Sequence, residues 1–394
     1  MDDSTNKDKS RRSAPIVVIV ALMSLLFLAN SLQAQIVSGT PSSVSQRFSY
    51  LSWTLKGDTT DLTISQWYLP IVITAALQED WELSVYSSVA ASDADWDIAD
   101  GEVSGLTDSR IQLAHSLADD RILLSGGVSL PTGQTELNES KRSLIPWLTE
   151  DFLTFPIKYH GEGLNLYGGV AGAVPAGNWA LGLAVGLHLM GEYTPYEDGP
   201  DYKPGSRVIL TGSAERQWPE QGSLAADLSL VFSGNDEADG TPVFSDGTML
   251  DARFRGRREF STAALSGGIR LILRGKNDIL DLTQAQLVSE ENNTNGSEIR
   301  LFISGQRDLG ERVTGSISVE SRLLAANDYE PGSRFYEDAA NILGIGAGID
   351  IRLSRMATGG LGVRIWNGSS DGAARFEALD LKGFELTQRL TLTM

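Results

Sequence analysis

The chain has 394 residues, no cysteine and a formal net charge of −19. Without cysteine there is no disulfide framework, thiolate metal site, cysteine nucleophile or lipidated-cysteine anchor. With 51 Asp and Glu against 32 Lys and Arg, the chain lacks the basic face that nucleic-acid phosphates require, and 41 glycines favour strands and tight turns over helices.

In chain order, residues 1–34 come first. "KDKSRR" is a basic leader, "APIVVIVALMSLLFLA" an apolar run, and "SLQAQ" offers a cleavage point after Ala34. These are the three parts of a secretory signal peptide. A retained anchor would need roughly 20 apolar residues, and the run is shorter. No later segment could cross a bilayer as a helix. Export therefore leaves the periplasm, the medium or a β-barrel in an outer membrane as destinations.

From residue 45 onward, alternation with period two predicts strands near 45–56, 61–77, 81–91, 107–118, 121–131, 163–175, 179–193, 206–217, 222–234, 248–258, 260–274, 297–307, 312–325, 339–354, 359–368 and 376–394. The connections between them sort into two kinds. "LQED", "ADD", "PAGN", "WPEQG", "RDLGE" and "SRMATG" are short, and they alternate with long polar loops such as "YTPYEDGPDYKPGS" and "SGNDEADGTPVFSDGT". Short turns at one end and long loops at the other are the pattern of a transmembrane barrel. Reading 131–160 as one large outer loop keeps the alternation and leaves both termini on the short-turn side. The fold class is therefore an all-β, single antiparallel up-and-down transmembrane β-barrel of about sixteen strands, with fourteen as the alternative. Residues 35–394 form one domain.

The faces agree with that reading. In "WALGLAVGLHLMGEY" (179–193), Leu181, Leu183, Val185 and Leu187 share one face, and Ala180, Gly182, Ala184 and Gly186 share the other. In a barrel the large apolar side chains meet lipid and the small or charged ones line the lumen, so no common core is needed. Parity then puts Arg253, Arg255, Arg257, Arg270, Arg274, Arg300, Arg322, Arg352, Arg364 and Arg389 on the inside, among Asp227, Glu298, Glu320, Asp350 and Glu385. Arg253, Arg255, Arg257, Arg270, Arg300, Arg322 and Arg389, with Glu298, Glu320 and Glu385, are the candidate pore-lining residues. Such a wall either selects anions or is an ion-pair network that braces the barrel. The loop 131–160 is too apolar for free solvation. It either folds into the mouth as a constriction or a greasy binding ledge carrying Trp147, Leu148, Phe152 and Phe155, or packs as a lid on its own rim.

Acidic runs at 93–102 and 235–246 are rich in oxygen ligands but do not follow the twelve-residue Ca²⁺ loop pattern, so they read as solvated outer loops. The three histidines, His115, His160 and His188, show no catalytic pairing, which leaves no catalytic residue, metal or cofactor to assign. A surface hydrolase would depend on His188, and a secreted all-β binding protein would be soluble without detergent.

"WYLPIVITAALQEDWELSVYSSV" (67–89) and "LTDSRIQLAHSLADDRILLSGGVSLPTGQTEL" (106–137) resemble outer-membrane proteins of the phenol meta-cleavage-pathway transporter type, themselves distantly similar to long-chain fatty-acid channels. The resemblance spans roughly 60–140 and is only architectural beyond it. The turn "ALQED" lacks the first glycine usual there, and the final "RLTLTM" lacks a terminal aromatic. The resemblance implies a channel that passes small, hydrophobic or aromatic molecules. A porin-like channel for polar or anionic solutes is the alternative. The expected partners are outer-membrane lipid and lipopolysaccharide, the barrel-assembly machinery and the cargo, with homo-oligomers left open.

Overall fold

A computed structural model describes residues 42–96, 101–218, 221–372 and 377–394. The expected signal peptide (1–34), Asp97 and Asp100 lie outside the described residues. The first strands are β1 (Ser43–Lys56), β2 (Asp61–Gln78), β3 (Trp81–Trp96), β4 (Gly101–Leu106), β5 (Ser109–Leu117), β6 (Ile122–Leu130), β7 (Asn165–Ala176), β8 (Trp179–Leu189), β9 (Tyr202–Lys203), β10 (Arg207–Trp218) and β11 (Gly222–Ser233). The chain continues through β12 (Asn235–Ala238), β13 (Thr241–Ser245), β14 (Met249–Glu259), β15 (Ala263–Arg274), β16 (Asp278–Asp281), β17 (Gln286–Ser289), β18 (Glu298–Asp308), β19 (Val313–Leu324), β20 (Ala340–Arg352), β21 (Ala357–Ser370) and β22 (Leu379–Thr393).

Each long strand pairs antiparallel with the next, and β22 returns to β1 from Ser43↔Thr393 to Lys56↔Asp380. The sheet has no free ends, as hydrocarbon surroundings would demand. Seventeen strands make sixteen staves, because β4 and β5 are two halves of one. β3 pairs with β5 over Trp81–Tyr86 and with β4 over Val89–Ala94, with Thr107 and Asp108 at the break. Here the sequence reading is corrected: it gave a single strand at 107–118 and a loop at 101–106. Despite Gly101, Ser104 and Gly105, β4 alternates buried Val103 with exposed Glu102 and Ser104 and extends the wall.

A second correction concerns the long outer loops. Those after β8, β11 and β15 are not wholly irregular. They contribute a five-stranded sheet in the order β17–β16–β13–β12–β9. The acidic residues of 235–246 take part in holding it: Asp236 accepts from the Tyr202 hydroxyl and from the Gly205 amide (2.6 Å).

The faces follow the expected parity over most of the wall. Leu183 and Ile317 are 68% and 70% exposed and point outward, with Leu181, Val185, Leu187 and Leu189 on the same face of β8. Near the short-turn end the outer surface carries Trp81 stacked on His115, and Arg216 over the Trp179 and Trp218 rings. Amphipathic rings at that level form the girdle expected at a membrane interface.

A third correction is larger. At the long-loop end, Trp53, Leu55, Leu62, Ile64, Ile342, Trp366 and Leu381 point inward and are buried. Bulky apolar residues therefore occupy both faces there, because the lumen holds a packed cluster of its own. Glycines make room for it. A Cβ at Gly344 would meet the Trp366 ring at 2.4 Å, and one at Gly383 would meet Trp53 at 2.9 Å.

Candidate functional site

What covers this inner apolar patch is the loop between β6 and β7. Two short helices, Glu139–Arg142 and Ile145–Thr149, carry it into the barrel. Asn138 caps the first by accepting the Lys141 amide (3.2 Å), and Pro146 sits in the first turn of the second, where a missing N–H costs nothing. Leu144, Trp147, Leu148, Leu153 and Phe155 are buried against Trp53, Leu55, Leu62, Ile64, Val103, Ile342, Trp366 and Leu381, with Phe152 at the edge. The loop thus packs as a wedge against one stretch of the inner wall. Its apolar residues are consumed in packing and do not present the greasy ledge a binding role would require.

Polar contacts fix the wedge at several points. The Trp53 indole N–H donates to the Leu153 carbonyl (2.8 Å). The Gln66 amide donates to the Ile157 carbonyl (2.8 Å) and accepts from the Ile157 N–H (2.9 Å). Arg322 donates to the Phe152 carbonyl (3.2 Å), and Arg274 pairs with Asp151.

The arginines below form a row. Register pairs Asp227 with Arg253, Arg253 with Arg270, Arg270 with Arg300 and Arg300 with Arg322, so four guanidinium groups stand side by side across β14, β15, β18 and β19. Like charges facing one another across strands repel, and carboxylates interleaved with them relieve this. Asp251, 5% exposed, accepts from both Arg253 (2.6 Å) and Arg270 (2.7 Å). Glu298 holds Arg300 (3.0 Å), and Glu320 holds Arg322 (2.9 Å) and Arg364 (3.3 Å). Arg255 pairs with Asp227 (2.7 Å), Arg257 with Glu259 (2.9 Å) and Arg389 with Asp350 (2.7 Å). Glu385 lies 3.6 Å from Arg364 and 3.9 Å from Arg47. Arg253, Arg255, Arg257, Arg270, Arg300, Arg322 and Arg389 are therefore all ion-paired, four of them to predicted acids and the others to Asp251 or Glu259. Asp251 turns out to be the acid shared between two arginines, a role that parity alone does not reveal.

The same row continues away from the arginines through Ser213, Gly182 and Ala173. At this level the wall is thus charged and bulky from β14 to β19 and nearly bare from β7 to β10. This accounts for the Ala/Gly face of 179–193, which leaves open space beside the arginines.

Above the bare stretch, between the wedge and β3–β10, lies a chamber of about 650 Å³. Arg110, Arg207, Lys158, His160, Tyr167 and His188 are among the residues that line it. The sequence reading missed Arg110 and Arg207. The alternation of 107–118 carried a usable signal for Arg110, which falls on the face opposite Ile111 and Leu113. His188 has no carboxylate pairing; its ring meets Tyr167 edge-on at 6.0 Å. His115 Nδ1 donates to the Asp80 carbonyl (3.2 Å) on the outer surface. No group of three or more His, Asp or Glu side chains suited to a metal ion occurs among the described residues.

One titration bears on the wedge. Burial, then the charges of Glu337 and Asp151, push the Glu150 carboxyl up to about 7, with Lys158 opposing. Its ordinary value is 4.5, so in the undocked loop Glu150 ionises first. Docking of the wedge is fully favoured below about pH 4.5 and weakens as pH rises to 7, beyond which the loss is constant. Proteolysis of the loop in detergent micelles should be slower at pH 5 than at pH 8. Glu150→Gln should flatten that dependence, and an unchanged slope would mean Glu150 does not control docking.

No family model matches the chain, and no curated protein does. Solved structures similar to it include OprB of Pseudomonas putida (9% identity, TM-score 0.48, covering 89% of this chain and 94% of that one). OccK1 of Pseudomonas aeruginosa is 8% identical with a TM-score of 0.46, covering 91% and 100%. The COG4313 outer membrane channel of Pseudomonas putida F1 is 11% identical with a TM-score of 0.38, covering 93% and 98%. Likeness this distant assigns no cargo, and the fold class rests on the closed pairing of the strands.

Proposed function

We propose that the protein is an outer-membrane channel for the passive passage of small molecules. The observation that carries this reading is the closed barrel with an exposed apolar exterior and an interior lined by a paired-arginine row beside a bare Ala/Gly/Ser stretch. Sixteen staves enclose a lumen wide enough for water unless something fills it, and the wedge fills only one side. Arg253, Arg255, Arg257, Arg270, Arg300, Arg322 and Arg389, with Glu298, Glu320 and Glu385, line the path in this reading and set its field. The Trp147–Phe155 stretch sets its width. Lipid, lipopolysaccharide and the assembly machinery are the partners the reading entails.

Polar solutes suit this lumen better than hydrophobic ones, since the wedge buries its own apolar residues. The aromatic cargo implied by the family resemblance keeps one supporting observation, the Tyr86, Tyr159, Tyr167 and His188 rings around the chamber. Planar-bilayer recording on the purified protein tests the reading. Discrete ohmic steps are expected, together with liposome swelling in small polar solutes such as arabinose. Silent bilayers with correctly folded, heat-modifiable protein would reject a channel.

A further inference from the structure

Three strands that run toward the short turns, β10, β14 and β18, end alike. Their closing triplets are Arg216-Gln217-Trp218, Arg258-Glu259-Phe260 and Arg307-Asp308-Leu309. Register places each arginine on the lipid face: Arg216 stands between Trp179 and Leu224, Arg258 between Gly222 and Leu265, and Arg307 between Ala263 and Gly315. An acid adjoins each arginine in sequence, but alternation turns it to the lumen. There Glu215 accepts from the Gln217 amide (2.9 Å), Glu259 from Arg257 (2.9 Å) and Asp308 from the Thr314 hydroxyl (3.0 Å). Among the described residues Arg216, Arg258 and Arg307 form no ion pair and donate no side-chain hydrogen bond. Cation–π contacts to Trp179 and Trp218, at 5.9 and 4.7 Å, fix the Arg216 guanidinium, and its Nε is buried with no acceptor. These charges are not simply out in water. Exposed Phe254 and Ile303 lie on their face toward mid-barrel, and exposed Phe260 and Leu309 follow them at the turns. Arginine banded by apolar side chains on both sides sits at the level where acyl chains give way to headgroups.

We propose that this outer face, from β10 to β18 at the short-turn end, is a docking surface for acidic phospholipid, with Arg216, Arg258 and Arg307 holding the headgroup phosphates. The proposal goes beyond the channel reading and shares with it only the placement of the barrel in a membrane. A guanidinium fork matches two oxygens of a phosphodiester, and a cation at the edge of hydrocarbon needs a counter-charge that this chain does not supply on that face. Phospholipid supplies it from the adjoining leaflet. Net charge decides among lipids: a zwitterionic headgroup brings its own ammonium to the phosphate, whereas an acidic one leaves the phosphate free for arginine. Gly222, Ala263 and Gly315 beside the arginines leave the cross-strand positions open to the glycerol backbone. The surface is therefore a charged band on one side of the barrel, set below an apolar wall that takes the acyl chains.

Native mass spectrometry of the full chain released from detergent micelles tests this, with phosphatidylglycerol and phosphatidylethanolamine of matched acyl chains as probes. Phosphatidylglycerol adducts should dominate. Arg216→Gln, and separately the Arg258→Gln/Arg307→Gln pair, should each weaken them, by about fivefold per arginine removed. The triple glutamine variant should lose the preference, and the triple lysine variant should keep part of it. Millimolar inorganic phosphate should not displace the lipid, because it has no acyl chains to bury. Heat-modifiable migration checks that each variant is folded. Equal retention of the two lipids by wild type, an unchanged preference in the triple glutamine variant, or full displacement by inorganic phosphate would overturn the proposal. Selective phosphatidylglycerol retention by a protein that gives silent bilayers would reject the channel and leave the lipid surface standing.

Discussion

Trp53→Ala should raise single-channel conductance several-fold while leaving the barrel intact. The Trp53 ring is fully buried between the wedge and the wall, stands 6.0 Å from the Trp366 ring, and donates to the Leu153 carbonyl. Truncating a buried tryptophan costs about 3–5 kcal/mol. Trp53 takes part in β1 pairing only through its backbone, so the loss falls on wedge docking and not on the strand ladder. A shift of that size moves a docked loop toward a mostly undocked one. Recording of wild type and variant in the same salt measures it, with heat-modifiable migration as the control for folding. Unchanged conductance alongside a lower unfolding temperature would show that Trp53 braces the wall without holding the wedge in the path.

Asp251→Asn should shift the channel strongly toward anions. Asp251 is the only carboxylate hydrogen-bonded to both Arg253 and Arg270 among the described residues, and it is itself buried. The asparagine is nearly isosteric, but it leaves two adjacent guanidinium groups short of their counter-charge. Reversal potential under a potassium chloride gradient should move toward the chloride equilibrium value, and the effect should shrink as salt screens the wall. Because Arg253 is half-exposed and Arg270 partly so, the stability cost is expected at only about 1–2 kcal/mol. An unchanged reversal potential would place the row outside the conducting path.

Much of this was legible in advance because strand parity is a local property. Leu181, Leu183 and Val185 against Ala180, Gly182 and Ala184 state which side faces lipid whatever the neighbours do. The same parity put Arg253, Arg270, Arg300 and Arg322 inside, and the alternation of short and long connections ordered the staves. The rule that large apolar side chains face lipid fails at Trp53, Leu55, Trp366 and Leu381. They sit on lumen parity, and nothing local says that a loop about 90 residues further along the chain comes back to cover Trp53.

The sequence by itself determined the class of fold, the sixteen staves and the two faces of most of them, since these follow from period two and from turn length. Only the tertiary structure decided that the arginines align in one row, that Asp251 serves two of them, and that the wedge spends its apolar residues on packing. The physical reason is register: which residues stand opposite one another across strands far apart in sequence depends on ring closure and loop docking, and alternation along a single strand carries no record of either.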